Sequence, residues 1–356
     1  MKYLLTIATF ASLFILQISN ISAQVLNPTG DLSYSEPDDI WAQTMEGSHF
    51  NEFWNYHFFL NDNVTLYVTF SVANFGSLKS AVSGVQVSVH NLGNKIYQLS
   101  REYNLDYLVQ DRERFMFRNR MEREIYFEGK LPESHRIRIN TSKDGIEYDI
   151  DLQLKNIAKG LKWGDGNYRI DRENVGIVTH IPYAEAEGFI SVDGHYKDVH
   201  GSAYMDHTYQ NQTTTRLVNS GYRYVEHSDR HNWDIFYFML PSDRNERSTI
   251  GLRLQNINGN IQMKGIENIT NMEKNDLFGD SVAELLEIKF GSGERVEIRR
   301  TNDIERFSVL SELNRFARSV ARRFLGGEVI HFRGEATLNE GENSESNGYY
   351  NYFIVD

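Results

Sequence analysis

The sequence predicts an all-β, mainly antiparallel fold, divided into two units that each close on themselves, with one helix in the C-terminal region. Three observations predict it. Apolar residues alternate with polar ones along most of the chain, which is the pattern of half-buried strands. Aromatic residues are dense, with 20 Tyr, 21 Phe and 4 Trp, while glycine is frequent at 26 and proline is rare at 5. Rings of this kind favour strands, and glycine favours the tight turns between them. A length of 356 residues also suits two domains better than one.

The elements follow in order. "MKYLLTIATFASLFILQISNISAQ" opens with Lys2, continues through an apolar stretch from Tyr3 to Leu16, and ends in Ile21-Ser22-Ala23 before Gln24. This is the layout of a cleavable export signal over residues 1–23, too short in its apolar part for a comfortable membrane span. The expected location is periplasmic or secreted. Strands are predicted at "NVTLYVTFSV", "VSGVQVSVHN" and "YDIDLQLKNI", with turns at "LND", "NLGNK", "SKDG" and "WGDGN". The charged run "QDRERFMFRNRMEREIYFEG" reads as strands with a solvated face.

From Gly188 the series restarts, with "GFISVDGHYKDVHGSAYMDHTY", "NWDIFYFML", "STIGLRLQN", "LLEIKFGSGERVEIRR" and "EVIHFRGEATL". Pro182 and Gly188 mark a boundary, so the units are expected over 24–183 and 184–356. One stretch has helical period. "SVLSELNRFARSVARRF" places Leu310, Leu313, Ala317, Val320, Ala321 and Phe324 on one face, away from most of Arg315, Arg318, Arg322 and Arg323, and Gly326-Gly327 ends it. The helix expected near 308–325 either packs on a barrel with its arginines in water or makes a peripheral membrane contact. Strand-rich units of this size close as barrels or sandwiches, and a barrel of about eight strands has room for one apolar ligand.

Composition excludes several functions. Net charge is −12, which disfavours nucleic acid as a partner, and there is no cysteine, which removes disulfides, thiolate metal sites and cysteine nucleophiles. Glycine-rich phosphate loops, dinucleotide fingerprints and Gly-x-Ser-x-Gly elbows are missing from the sequence. His195, His200 and His207 could meet across a hairpin, but no acidic triad or helical His-x-x-x-His supports a metal site, so neither a metal nor a cofactor is expected. "GYRYVEHSDRHNW", with Arg223, Glu226, His227, Asp229 and His231, reads as an exposed loop near the second unit's mouth. His57 points opposite Tyr56 on its strand and reads as a rim or core histidine.

"GSAYMDHTY", Gly201 to Tyr209, resembles the Gly-x-x-Tyr-x-Asp-His-x-aromatic signature of the carotenoid 1,2-hydratase (hydroxyneurosporene synthase) superfamily, which includes AttH-like proteins, kievitone hydratase and fungal Diels–Alderases. "FNEFWNYHFFL", "AEAEGFISVDGHYKDVHG" and "NWDIFYFML" are similar to further stretches of that family, although Phe53 replaces one of its tryptophans and Gln210 its glycine after the motif. The resemblance implies two tandem lipocalin-like β-barrels. It also implies a lipophilic, isoprenoid-like substrate that is hydrated, isomerised or cyclised by acid–base catalysis, or else a carried hydrophobic ligand.

Asp206 and His207 are the implied catalytic pair, with Asp206 as proton donor or acceptor and His207 as its orienter or as a partner between the barrels. Tyr204, Tyr209, Trp54, Tyr56, Trp233 and Tyr237 are the implied substrate-binding residues, whose ring faces can stabilise a carbocation. The residues themselves leave an alternative. Adjacent strand residues point to opposite faces, so only one of the pair enters a given lumen, and a buried Asp-His can also serve to tie the barrels together.

Overall fold

The computed structural model describes residues 25–44, 46–170, 172–241, 250–308, 310, 315–341 and 344–356. The expected export signal, and Leu313 of the expected helical face, lie outside the described residues.

The first part of the chain contributes β1 (Val25–Leu26), β2 (Leu32–Tyr34), β3 (His49–Leu60), β4 (Thr65–Phe75), β5 (Val82–His90), β6 (Tyr97–Asn104), β7 (Leu108–Asp111) and β8 (Met116–Asn119). It continues with β9 (Glu122–Glu128), β10 (His135–Lys143), β11 (Ile146–Lys155), β12 (Leu161–Trp163), β13 (Asn167–Ile170), β14 (Glu173–Val192) and β15 (His195–Gln210). These form one antiparallel sheet in the order β6-β5-β4-β3-β15-β14-β11-β10-β9-β8-β7, with the short β1, β2, β12 and β13 attached beside β14. Side chains cross the remaining gap: Tyr148 Oη donates to Gln98 O (2.8 Å) and Lys143 Nζ to Ser100 O (3.1 Å).

The second part contributes β16 (Val218–Asp229), β17 (Asn232–Pro241), β18 (Ile250–Ile257), β19 (Asn260–Leu277), β20 (Asp280–Phe290), β21 (Arg295–Phe307), β22 (Val329–Asn339) and β23 (Glu345–Val355). They close into a barrel in chain order, β23 pairing back onto β16. The all-β, two-barrel architecture expected from the alternation is therefore present.

The boundary expected at 183/184 falls inside a single strand. β14 pairs with β11 and β15 through Glu185–Val192, so the restarted series at Gly188 belongs to the first sheet. The change of sheet comes between Gln210 and Val218, at the short helix Thr214–Leu217. Pro182 marks a bulge instead of a linker: register shifts flank Ile181 and bend the 20-residue strand. A helix spans Arg315–Leu325, as its period predicts. Phe324, placed on the apolar face from sequence, is 61% exposed, whereas Arg318 and Arg322 turn back to the buried Glu328 carboxylate.

Three apolar cores result. One fills the first barrel around Trp54, Tyr56, Phe70 and Phe127, and one fills the second around Tyr222, Phe236, Phe238 and Phe332. The third lies between the barrels, where Tyr168, Ile177 and Tyr204 of the first meet Trp233, Ile235, Tyr237 and Phe353 of the second. Close backbone approach sets the register of β15. A Cβ on Gly201 would lie 2.1 Å from Phe59 O and 2.8 Å from Leu60 Cα of β3. Gly201→Ala should therefore cost about 1–3 kcal/mol in urea unfolding through overpacking. Gly291→Ala, with nothing within 4 Å of its Cβ, should be neutral, and equal unfolding midpoints for the two variants would contradict the close β3–β15 approach.

Candidate functional site

β15 is buried on both faces from Ala203 to Thr208, because one face looks into the first barrel and the other meets the second barrel. Tyr204, Asp206 and Thr208 share the face toward the second barrel. Ala203, Met205 and His207 share the lumen face. The two members of the Asp-His pair thus serve different cores.

Asp206 sits in the seam between the barrels with no solvent exposure. Its Oδ1 accepts from Asn55 Nδ2 (2.9 Å) on β3, from Arg223 Nη2 (2.9 Å) on β16, and from Thr208 Oγ1 (3.3 Å). Arg223 Nε closes the ion pair against Oδ2. Every group that touches Asp206 in these contacts is a donor, which complements a carboxylate. Arg223 is itself buried, its guanidinium 4.8 Å from the Tyr237 ring centroid. Burial works against the charge of Arg223, and the Asp206 carboxylate outweighs it. The reading of this stretch as an exposed loop is corrected: Arg223 and His227 lie on β16 and face the first barrel, where His227 Nε2 donates to Pro182 O (2.8 Å) at the β14 bulge.

His207 does not orient Asp206 and does not reach the second barrel. Its ring stacks on Trp54 (4.6 Å, 17°), its Nε2 lies 2.6 Å from Glu52 Oε1, and its Nδ1 lies 3.1 Å from Asp39 O. The fully buried Glu52 also accepts from the Gln43 amide (2.8 Å) and from the amide and hydroxyl of Thr44 (both 3.2 Å). Trp54 Nε1 donates to Ile40 O (2.8 Å). Glu52, Trp54 and His207 therefore fasten the strap 37–44 across one end of the first barrel.

The substrate-binding residues expected from sequence divide in the same way. Tyr204, Trp233 and Tyr237 meet in the seam. Trp54 and Tyr56 lie inside the first barrel, where Tyr56 Oη donates to His135 Nε2 (2.9 Å). Tyr209 covers Gly176 and bonds Asn167 (3.3 Å), away from the seam. Gln210, at the family's glycine position, is buried and donates to Thr214 Oγ1 (2.5 Å) at the passage between barrels. No cluster of His, Asp and Glu with metal-binding geometry occurs among the described residues.

Sequence reasoning missed the second half of the seam. Glu305 on β21 accepts from Arg333 Nη1 (2.8 Å) on β22 and, across the seam, from Ser88 Oγ (2.8 Å) on β5 and Gln98 Nε2 (2.5 Å) on β6. His90 Nε2 stands 3.3 Å from its other oxygen. Burial alone would raise the Glu305 carboxyl, but Arg333 and His90 outweigh it and hold it below the usual range. The Arg333 guanidinium lies 4.6 Å from the Tyr67 ring centroid. Between the two ion pairs sits His57, edge-on to Tyr67 (4.8 Å) and Tyr204 (5.5 Å). Burial, with Arg223 and Arg333 nearby, holds its imidazole well below the usual histidine range. Burial and the neighbouring Asp206 raise the Tyr204 hydroxyl, and burial pushes Tyr237 up to about 12. The signal available in sequence was the alternation itself: Arg223, Glu305 and Arg333 occupy strand positions, where a charge must be either solvated or paired.

A cleft of about 730 Å³ opens at the rim of the second barrel, lined by Glu287, Arg295, Glu297 and Glu340 among others, and a void of about 10 Å³ lies beside Phe70 and Phe117 in the first. Neither touches Asp206.

No family model and no curated protein matches the sequence. Solved structures do match in fold. An AttH-type protein from Nitrosomonas europaea superposes with a TM-score of 0.63 at 12% identity, over 92% of this chain and 99% of that one. CghA, in a structure with Sch210972, gives 0.58 at 10% identity over 87% and 89%. Kievitone hydratase from Nectria haematococca gives 0.51 at 11% identity over 86% and 88%. The chain shares the tandem-barrel fold of the proteins that its Gly201–Tyr209 motif resembles.

Two expectations follow. Arg223→Met leaves a buried carboxylate without its cation and should cost about 3–5 kcal/mol by denaturant unfolding, while adding Asp206→Asn should recover part of the loss. A cost under about 1 kcal/mol would show that the pair is solvated. The second concerns acid. His57 and His180 are held well below 6.5 and His135 at about 4, burial being the largest cause in each. Unfolding frees these imidazoles to take up protons, so stability is complete above about pH 6.5 and falls as pH drops toward about 4, by up to ~1.4 kcal/mol per pH unit per histidine. Urea midpoints measured across that window should decline steadily, and a flat profile would mean the three rings are already charged or exposed.

Proposed function

We propose that this chain is an exported protein, periplasmic or secreted, that acts on a lipophilic, isoprenoid-like small molecule by acid–base chemistry without a cofactor, at the seam between its barrels. One observation carries the reading. The seam buries two carboxylate–arginine pairs around His57, an imidazole kept neutral, with tyrosine rings on either side of it. A neutral imidazole beside protonated phenols can take a proton from carbon or oxygen and return it nearby. His57 is the proposed base and Tyr204 the neighbouring acid. Asp206 enters as a positioning residue that holds Arg223, and His207 as a positioning residue for the strap. One protein of the same fold is named a hydratase, and hydration is a proton-transfer reaction of this kind.

A second reading, a non-catalytic carrier of a hydrophobic ligand, is favoured by the sealing of Asp206 and by the side chains that fill both lumens. Incubation of the protein with a panel of isoprenoid alcohols and polyenes in ¹⁸O-labelled water separates the two. Hydration adds the mass of one labelled water to the product, while isomerisation or cyclisation shifts retention at constant mass. His57→Gln should lower turnover by about 10²-fold or more with ligand binding retained. Binding without product in the native protein would support the carrier, and no binding at all would overturn both readings.

A further inference from the structure

Two aromatic rings of the seam already carry a guanidinium. The Arg223 guanidinium covers Tyr237 and that of Arg333 covers Tyr67. A ring whose negative face holds a guanidinium has little left for a carbocation. The role that the resemblance implies for Tyr237, stabilising a cation formed from a hydrocarbon, therefore does not fit its place in this seam.

The unused hydrogen-bonding capacity there points the same way. Tyr67 Oη and Trp233 Nε1 are buried without a hydrogen-bond partner among the described residues. Tyr204 Oη approaches Asp206 and Thr179 but meets hydrogen-bond geometry with neither. An indole N–H can only donate, and burial keeps both phenols protonated by raising them above their ordinary value, although Arg333 opposes this at Tyr67. The acceptors are taken: Asp206 by Arg223, Asn55 and Thr208, and Glu305 by Arg333, Ser88 and Gln98. Asp206 Oδ2 and Arg223 Nε lack ideal geometry only with respect to each other, since they face one another in the ion pair. Buried donors without acceptors are rare and call for a partner.

We infer that the seam selects lipophilic molecules that carry an acceptor oxygen, a carbonyl or its enolate, in preference to unfunctionalised isoprenoid hydrocarbons, and that Tyr67 and Tyr204 donate to that oxygen on either side of His57. This rests on the seam being the site of action. It specifies the substrate class: an apolar skeleton long enough to displace the packed rings, with one oxygen that receives the phenol donors. A carbonyl so held has its adjacent C–H made more acidic. His57 can remove that proton while the electron pair moves onto the oxygen as an enolate, and return it at the same carbon or one conjugated with it, so that atoms balance with no co-reactant.

Farnesal and farnesene, which share one carbon skeleton and differ by the aldehyde oxygen, test the inference. Their binding to the full chain is followed by tryptophan fluorescence and calorimetry, in native protein and in the near-isosteric Tyr67→Phe and Tyr204→Phe variants. A photoreactive farnesyl ketone bearing a diazirine, read by peptide mass spectrometry, locates the ligand. The expected result is that farnesal binds at least about tenfold more tightly than farnesene, that the preference falls to about twofold in one or both variants, and that adducts map to β4, β15 and β16. Equal binding of the two ligands, or an undiminished preference in both variants, with adducts still at the seam, overturns the oxygen-selective inference and leaves the seam as the site. Adducts confined to a lumen, or no binding of either ligand, overturn the seam itself.

Discussion

Arg223 and Asp206 form an ion pair that neither barrel can satisfy alone. Docking the two faces desolvates both charges, so either one without its partner would be left buried and unpaired. The pair also fixes position. Arg223 is held on β16 between Tyr237 of β17 and Asn351 of β23, and Asp206 on β15 between Thr179 of β14 and Asn55 of β3. A slip of one residue on either strand would turn a charge into an apolar lumen. Glu305 and Arg333, buried against β5 and β6, supply a second fixed point, and two points define how one barrel is seated on the other. Buried ion pairs contribute little net stability against well-packed apolar residues, so their value here is in orientation.

Packing an acid and an imidazole side by side on β15 follows from the same constraint. A strand buried on both faces must supply a polar partner to each face wherever one is needed, and neighbouring residues are the shortest way to do so. Asp206 serves the seam. His207 serves the lumen, where with Glu52 and Trp54 it receives the strap 37–44 and satisfies its backbone groups. Gly201 earlier on the strand permits the close approach of β3, and Gln210 after it ties the passage into the second barrel. The whole stretch is a junction of three packing surfaces. That explains how a fold can be shared at 10–12% identity: the junction needs a few residue types at fixed register, and the rest needs only alternation.

The same junction brings chemistry together. Placing two ion pairs in a buried seam leaves His57 between them and disfavours its charged form, and it leaves the Tyr67 and Tyr204 hydroxyls outside hydrogen-bond geometry with any described group. The combination at His57 arises from the docking of two barrels, since Arg223 and Arg333 come from the second barrel and His57 from the first.

From sequence alone, alternation over strands such as Val64–Val72 and Val85–Val89 determined the all-β class. The late helical period determined the helix at Arg315–Leu325, and the opposite facing of Asp206 and His207 followed from strand geometry. These are local consequences of side-chain period, and local pattern is what a sequence displays. The placement of the barrel boundary was not legible, because Pro182 and Gly188 signal a break in either a linker or a bulged strand, and only the pairing of Glu185–Val192 with β11 and β15 decides between them. The partners of Asp206 and His207 were not legible either. Arg223 is 17 residues from Asp206 and reads as solvated, and Glu52 is 155 residues from His207. Which charges are buried together depends on how two barrel sheets dock, and docking is a property of surfaces assembled from distant strands, so tertiary structure alone decided it.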